Sequence, residues 1–233
     1  MRLICFSPAA GSATNFKSWH NRLGNGFELI VVEYPGHGRK MASPLTDSFT
    51  DLMASLKTEV QSFACEPFFV FGHSLGALVA FEIASLMRLE GAPLLGCLLS
   101  GCSPPSQKRN VISSKPDNFL IDHLRELGGT PSAILDSSDL ITFFLRIFRS
   151  DLRLIESHVY VRKQLDIPLL VWSSRGDPIA PGSSMVGWEQ ETSSFFKLKI
   201  QDGGHFFIFD DEASFVAELK TEMQTIINSL PRC

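Results

Sequence analysis

The segment FFVFGHSLGALVAFE, Phe68–Glu82, decides how this chain folds. Four apolar residues, Phe68–Phe71, run into Gly72-His73-Ser74-Leu75-Gly76, and an amphipathic stretch follows from Leu75 to Glu90. A buried strand gains nothing from a serine set between two glycines. The pattern Gly-x-Ser-x-Gly between a strand and a helix is instead the signature of a strained turn that lifts a serine hydroxyl out of a sheet. The glycines are needed because side chains two residues either side of the serine would collide with the strand and helix that the turn joins. The same turn aims the helix N-terminus, with its unbonded N–H groups and partial positive charge, at whatever the serine attacks.

Working outward from this turn, short apolar runs recur at Leu3–Phe6, Leu29–Glu33, Phe68–Phe71, Leu94–Leu99, Pro168–Ser173 and Phe196–Ile200. Most are continuously apolar, as expected of parallel strands covered on both faces. Helix-period stripes lie between them. Leu75, Leu78, Val79, Ile83, Leu86 and Met87 form one, and Phe215, Val216, Leu219, Met223, Ile226 and Ile227 form another. Strands alternating with helices predict an α/β fold with a mainly parallel sheet flanked by helices. A single domain over residues 1–233 is expected.

One region interrupts the alternation. Residues 104–166 contain no convincing strand and read as a helical insertion within the domain. Leu140, Phe143, Phe144, Ile147 and Phe148 recur at helical spacing, as do Leu120, Leu124 and Leu127, which stop at Gly128-Gly129. Two readings of these stripes stay open: extra core packing, or a lid whose apolar face lines a substrate channel.

A serine is a poor nucleophile near neutral pH and needs a base oriented by an acid. With this turn, the order along the chain is serine, acid, histidine. That order removes His20, His37 and His73, which do not lie downstream of Ser74. His123 and His158 fall in the insertion, where exposed or capping histidines are usual. His205 follows the last strand behind Gly203-Gly204 and precedes the C-terminal helix, so it is the expected base. Asp177, in Ser174-Arg175-Gly176-Asp177-Pro178, stands at the C-terminal end of a strand, where sites of open α/β sheets collect. An Asp in such a turn also has a purely structural reading. Asp202 is a rival too close to His205 to face its ring, and Ser100-Gly101-Cys102-Ser103 offers no carboxylate after the fourth strand. Asp177 is therefore the expected acid. An oxyanion hole requires two N–H groups. Leu75 is expected to supply one, and the loop Ser7-Pro8-Ala9-Ala10-Gly11-Ser12 the other, through Ala10 with Ala9 as the alternative.

Composition narrows the class. The chain has 233 residues, 44% hydrophobic and 20% charged, with a formal net charge of −4. That balance is ordinary for a globular domain and argues against an electrostatic nucleic-acid binder. The five cysteines, Cys5, Cys65, Cys97, Cys102 and Cys233, show no zinc spacing, and a reducing cytoplasmic setting is the simpler reading. The N-terminal apolar core, Leu3–Phe6, is too short for a signal peptide, and no run reaches the length of a membrane span.

With these pieces together, the chain resembles the type II thioesterases that accompany polyketide synthases and nonribosomal peptide synthetases. The likeness rests on FSPAAGSATNFKSW, EYPGHGRK, GHSLGALVAFE, LLSGCSPP, HLRELGGTP, FRSDLRLIESH, SSRGDPIAP and DGGHFFIF, which span nearly the whole sequence. Two stretches depart from the family pattern. Pro8-Ala9-Ala10-Gly11-Ser12 stands where the family usually reads Pro-His-Ala-Gly-Gly, and Pro35-Gly36-His37-Gly38 where it reads Pro-Gly-Arg-Gly. The resemblance implies an α/β-hydrolase fold with a helical lid. It implies hydrolysis of acyl thioesters on the phosphopantetheine arm of acyl or peptidyl carrier proteins, through an acyl-serine, with no metal or cofactor. A monomer is expected, in the cytoplasm, with no nucleic-acid or membrane partner. Arg146, Arg149 and Arg153 offer an acidic carrier protein a docking face, although a solvated helix surface explains them as well. The alternative activity is a carboxylesterase or lipase acting on free small esters. A cyclising domain cut from a synthase is disfavoured because the chain begins and ends near the limits of the fold. A binding protein that has lost catalysis is disfavoured by the intact Ser-Asp-His set.

Overall fold

In the first apolar run Leu3 and Cys5 face one side while Ile4 and Phe6 face the other, and all four are fully buried. This is what a continuously apolar strand does when helices cover both faces of its sheet. The computed structural model describes residues 1–230. Its elements run β1 (Arg2–Phe6), α1 (Trp19–Leu23), β2 (Glu28–Val32), α2 (Phe49–Phe63), β3 (Phe68–His73), α3 (Leu75–Leu89), β4 (Leu94–Ser100), α4 (Asp117–Leu127), α5 (Ser132–Leu135) and α6 (Ser138–Ser157). Then follow β5 (Leu169–Ser174), α7 (Gly182–Met185), β6 (Phe196–Gln201), α8 (Phe207–Asp210) and α9 (Glu212–Ser229). All six strands expected from the sequence are present, with ends displaced by a residue or two.

The strands form one parallel sheet in the order β2-β1-β3-β4-β5-β6. Because the chain steps from β1 to one neighbour, β2, and then across to the other, β3, the strand order reverses at β1. Loops leaving the C-terminal ends of β1 and β3 therefore diverge and open a crevice, the usual place for a site in such sheets. Ile4, Val70, Leu99 and Val171 meet the apolar faces of α2 and α3 on one side. Leu3, Phe71, Leu98 and Trp172 meet α1 and α9 on the other, around Trp19 and Phe215. Helix starts are fixed by side chains: Ser48, Ser137 and Asp211 accept the N–H groups of Asp51, Leu140 and Ser214.

Between β4 and β5 the chain forms α4, α5 and α6 and no strand. α4 ends at Leu127, followed by Gly128 and Gly129 at φ 74° and 75°, so the two glycines stop it in the left-handed region. Leu120, Leu124 and Leu127 are buried as their spacing predicts. The expected stripe on α6 needs correcting. Leu140 and Phe143 are about half exposed, and the buried face runs through Ile141, Leu145, Phe148 and Leu152. The run Leu140-Ile141-Thr142-Phe143-Phe144-Leu145 offers apolar residues on more than one face, so spacing alone did not choose the face that α4 covers.

Cys5 and Cys97 are buried in the sheet, and burial pushes both thiols well up. Cys65 is exposed, Cys102 is half-buried, and Cys233 lies outside the described residues. No helix among the described residues is long and apolar enough to cross a membrane.

Candidate active site

Ser74 stands between the end of β3 and the start of α3 with φ 57° and ψ −121°, a strained conformation for a non-glycine residue. Two glycines make it possible. A Cβ on Gly72 would sit 1.9 Å from the Gly76 carbonyl oxygen, and one on Gly76 would sit 2.1 Å from that of Phe6. The second contact shows why α3 presses directly on β1. The Ser74 N–H is anchored to the Ser100 carbonyl at 2.8 Å, so the end of β4 also holds the turn.

The loop after β6 brings His205 to this serine across 131 residues of sequence, with Nε2 at 3.0 Å from Ser74 Oγ. Its Nδ1 donates to Asp177 Oδ2 at 2.8 Å. That bond fixes the tautomer, because a proton on Nδ1 leaves the Nε2 lone pair facing the serine hydroxyl. The other carboxylate oxygen, Asp177 Oδ1, accepts the N–H groups of Ile179 at 2.9 Å and Ala180 at 3.0 Å. Both His205 and Asp177 are buried. Burial disfavours the Asp177 charge, yet the His205 bond and charge and the two backbone donors outweigh it, and its pKa lies below the ordinary carboxylate value.

The rival groups are elsewhere. Asp202 is almost fully exposed and pairs with Arg175. His73 is next to the serine in sequence, and its ring packs against that of His205 with centroids 4.9 Å apart. Its Nδ1 is 3.1 Å from Ser100 Oγ, its Nε2 has no partner, and burial together with the neighbouring His205 holds its pKa well below the ordinary value. It is a neutral packing histidine. His158 caps α6 and bonds Glu82 at 2.9 Å.

The oxyanion loop departs from expectation. The Ala10 N–H does not point into an open site; it donates to Asp151 Oδ2 on α6 at 2.6 Å. Gly11 N–H goes to the Pro8 carbonyl, Ser12 N–H to Asn15 and Ala13 N–H to Glu33. Among the consecutive amides from Ala9 to Ala13, only that of Ala9 has no acceptor in the described residues. Leu75 N–H likewise has none. Ala9 thus replaces Ala10 as the candidate second donor. The physical reason is a competing acceptor far away in sequence.

Two cavities meet at Ser74. One, of about 260 Å³, is bounded by the Ala9–Ser12 loop, His205 and Phe206 and by Leu124, Phe144 and Phe148 of the insertion. The other, of about 320 Å³, is more mixed, with Leu78, Ile179, Arg109, His123 and Glu156. Burial and the nearby His205 push the His123 pKa down, against the pull of Glu126. Within the insertion Leu145 packs on Leu120 and Leu124, while Phe144 and Phe148 also wall the cavity. Of the three arginines on α6, Arg149 pairs with Asp117 and Arg153 with Asp47, while Arg146 is exposed with no such partner among the described residues.

Residues 1–222 match the model of the thioesterase domain family. The chain is 31% identical over 219 residues to thioesterase PikA5 of Streptomyces venezuelae, covering 90% of this chain and 76% of that protein. It is 28% identical to the probable cadicidin biosynthesis thioesterase of Streptomyces griseus, of which it spans 58% of the length and which covers 89% of this chain. Among solved structures, RedJ, a thioesterase of the prodiginine biosynthetic pathway in Streptomyces coelicolor, superposes with a TM-score of 0.89 at 29% identity, over 95% of this chain and 90% of that one.

Proposed function

The chain belongs to the thioesterase domain family, with the α/β-hydrolase fold, and from that premise we propose that it is an editing enzyme of the type II thioesterase kind. In this reading it hydrolyses acyl groups from the phosphopantetheine arm of acyl or peptidyl carrier proteins serving polyketide or nonribosomal peptide assembly. The observation that carries it is the Ser74–His205–Asp177 relay opening into a partly apolar cavity walled by the helical insertion.

The chemistry follows from the geometry. His205 Nε2 takes the Ser74 proton as Oγ attacks the thioester carbonyl, and Asp177 holds the resulting imidazolium. The carbonyl oxygen becomes an oxyanion between the Leu75 and Ala9 N–H groups, at the N-terminus of α3. The C–S bond then breaks, and the imidazolium proton goes to the departing thiolate. Water, deprotonated by His205, attacks the acyl-serine; Ser74 recovers its proton and the free acid leaves. The apolar walls of Phe144 and Phe148 favour an acyl chain over water.

A purified acyl-carrier-protein thioester and the matching oxygen ester separate this reading from a general esterase. Hydrolysis of the carrier thioester with kcat/KM at or above that of the oxygen ester is expected. A strong preference for the oxygen ester would overturn the carrier-protein reading. Ser74→Ala should lower turnover about 10⁴-fold or more on either substrate.

A further inference from the structure

We propose that Asp151, on the insertion helix α6, is a positioning residue that holds the oxyanion loop in its working shape. The inference rests on the proposed serine mechanism, though not on the identity of the acyl donor. Asp151 is buried, and its Oδ2 accepts two bonds: from Ala10 N–H at 2.6 Å and from His37 Nε2 at 2.9 Å. His37 Nδ1 lies 2.9 Å from the Pro35 carbonyl oxygen. Both ring nitrogens therefore face acceptors, and only the imidazolium can satisfy both. The histidine that stands at position 37 is thus the positive partner of a buried carboxylate, linking the loop after β2 to the loop after β1 through a residue of α6.

The link matters because of what it holds. Ala10 has φ 55°; together with Ser74 it is one of two non-glycine residues with positive φ among those described. An alanine stays in the left-handed region only when its surroundings hold it there. Here Asp151 does so by fixing the Ala10 N–H from one side, while the Gly11 N–H closes the turn on the Pro8 carbonyl at 2.9 Å. The outcome is that the neighbouring Ala9 N–H is left unbonded, in a residue that lines the same cavity as Ser74. Without Asp151 the alanine relaxes to an ordinary φ, the turn opens and the Ala9 N–H leaves its position. Since α6 also carries Phe144 and Phe148 into the acyl cavity, the same helix that walls the acyl chain sets the oxyanion loop.

The test compares Asp151→Ala with Asp151→Asn, whose amide oxygen can accept both bonds. Substrates are an acyl-N-acetylcysteamine thioester and p-nitrophenyl acetate; an alkyl trifluoromethyl ketone serves as a tetrahedral adduct former. Asp151→Ala is expected to lower kcat about 10²-fold with KM changed by less than about threefold, and to weaken the ketone by a similar factor. Asp151→Asn should stay within about tenfold of wild type. Should Asp151→Ala fail to fold, Asp151→Ala/His37→Phe, which removes both buried charges, is read in its place with the same expectation. A folded Ala variant with kcat within threefold of wild type overturns the proposal. So does an Asn variant as impaired as the Ala variant, or a loss expressed only in KM. If wild type cleaves only the oxygen ester, the thioesterase reading falls, while the ratio of variant to wild type on that ester still tests Asp151.

Discussion

Replacing Asp177 by Asn tests the relay through hydrogen-bond directionality alone. Asp177 Oδ1 accepts two backbone N–H groups, from Ile179 and Ala180, and Oδ2 faces His205 Nδ1. An asparagine in that place must turn its oxygen toward the two backbone donors, because an NH₂ group there would oppose two N–H groups. Its amide nitrogen then faces His205. The ring responds by presenting an unprotonated Nδ1 to the amide and carrying its proton on Nε2, where it meets the Ser74 hydroxyl and can no longer accept from it. Serine hydrolases with such a wrong tautomer lose about 10⁴ in kcat, which is about 5.4 kcal/mol at roughly 1.36 kcal/mol per decade. Steady-state hydrolysis of an acyl-N-acetylcysteamine thioester at pH 7.5 measures this directly, with circular dichroism confirming the fold. The substitution is isosteric and keeps both backbone bonds, so melting should change little. An Asp177→Asn enzyme retaining a tenth or more of wild-type kcat would refute the assignment of Asp177 and the tautomer argument together.

Three further outcomes are expected. Gly76→Ala would place a methyl 2.1 Å from the Phe6 carbonyl oxygen and 2.7 Å from that of Ser7, both backbone atoms of or next to β1; a destabilisation of about 3 kcal/mol or more is expected, read as a fall in Tm of at least about 6 °C. On His37, burial opposes the charge but the bond and charge of Asp151, the Pro35 carbonyl and Glu33 together raise its pKa. A raised folded pKa gives stability that is fully present below the unfolded value of about 6.5 and is lost as pH rises through the folded one; wild-type stability should therefore fall across that window relative to His37→Gln, and parallel stability curves above pH 6.5 would contradict the ion pair. Phe144→Ala enlarges the cavity beside Ser74, so the ratio of kcat/KM for an acyl chain two carbons longer over a shorter one should rise about tenfold, at roughly 0.8 kcal/mol per methylene; an unchanged ratio would place the acyl chain in the other cavity.

What the sequence determined by itself is everything that depends on neighbours along the chain. The six strands are apolar runs, the stop after Leu127 is a pair of glycines, and the turn at Ser74 needs small residues at 72 and 76 for steric reasons that any strand-to-helix junction of this kind imposes. The order serine, acid, histidine came with the Gly-x-Ser-x-Gly turn, so Asp177 and His205 were legible as candidates although 28 and 131 residues of sequence separate His205 from the two groups it bonds. Tertiary structure alone decided which residues of a local set have their hydrogen-bonding capacity taken. Ala9 and Ala10 are the same residue type side by side, and nothing local distinguishes their amides. The choice is made by Asp151, 141 residues beyond Ala10, which accepts one N–H and leaves the other open. His37, on sequence a histidine on the wrong side of the serine and a departure from the family pattern, becomes the counter-charge of that carboxylate for the same reason. The face of α6 was likewise settled by the helix it meets, because a segment apolar on more than one side carries no record of which side its partner covers.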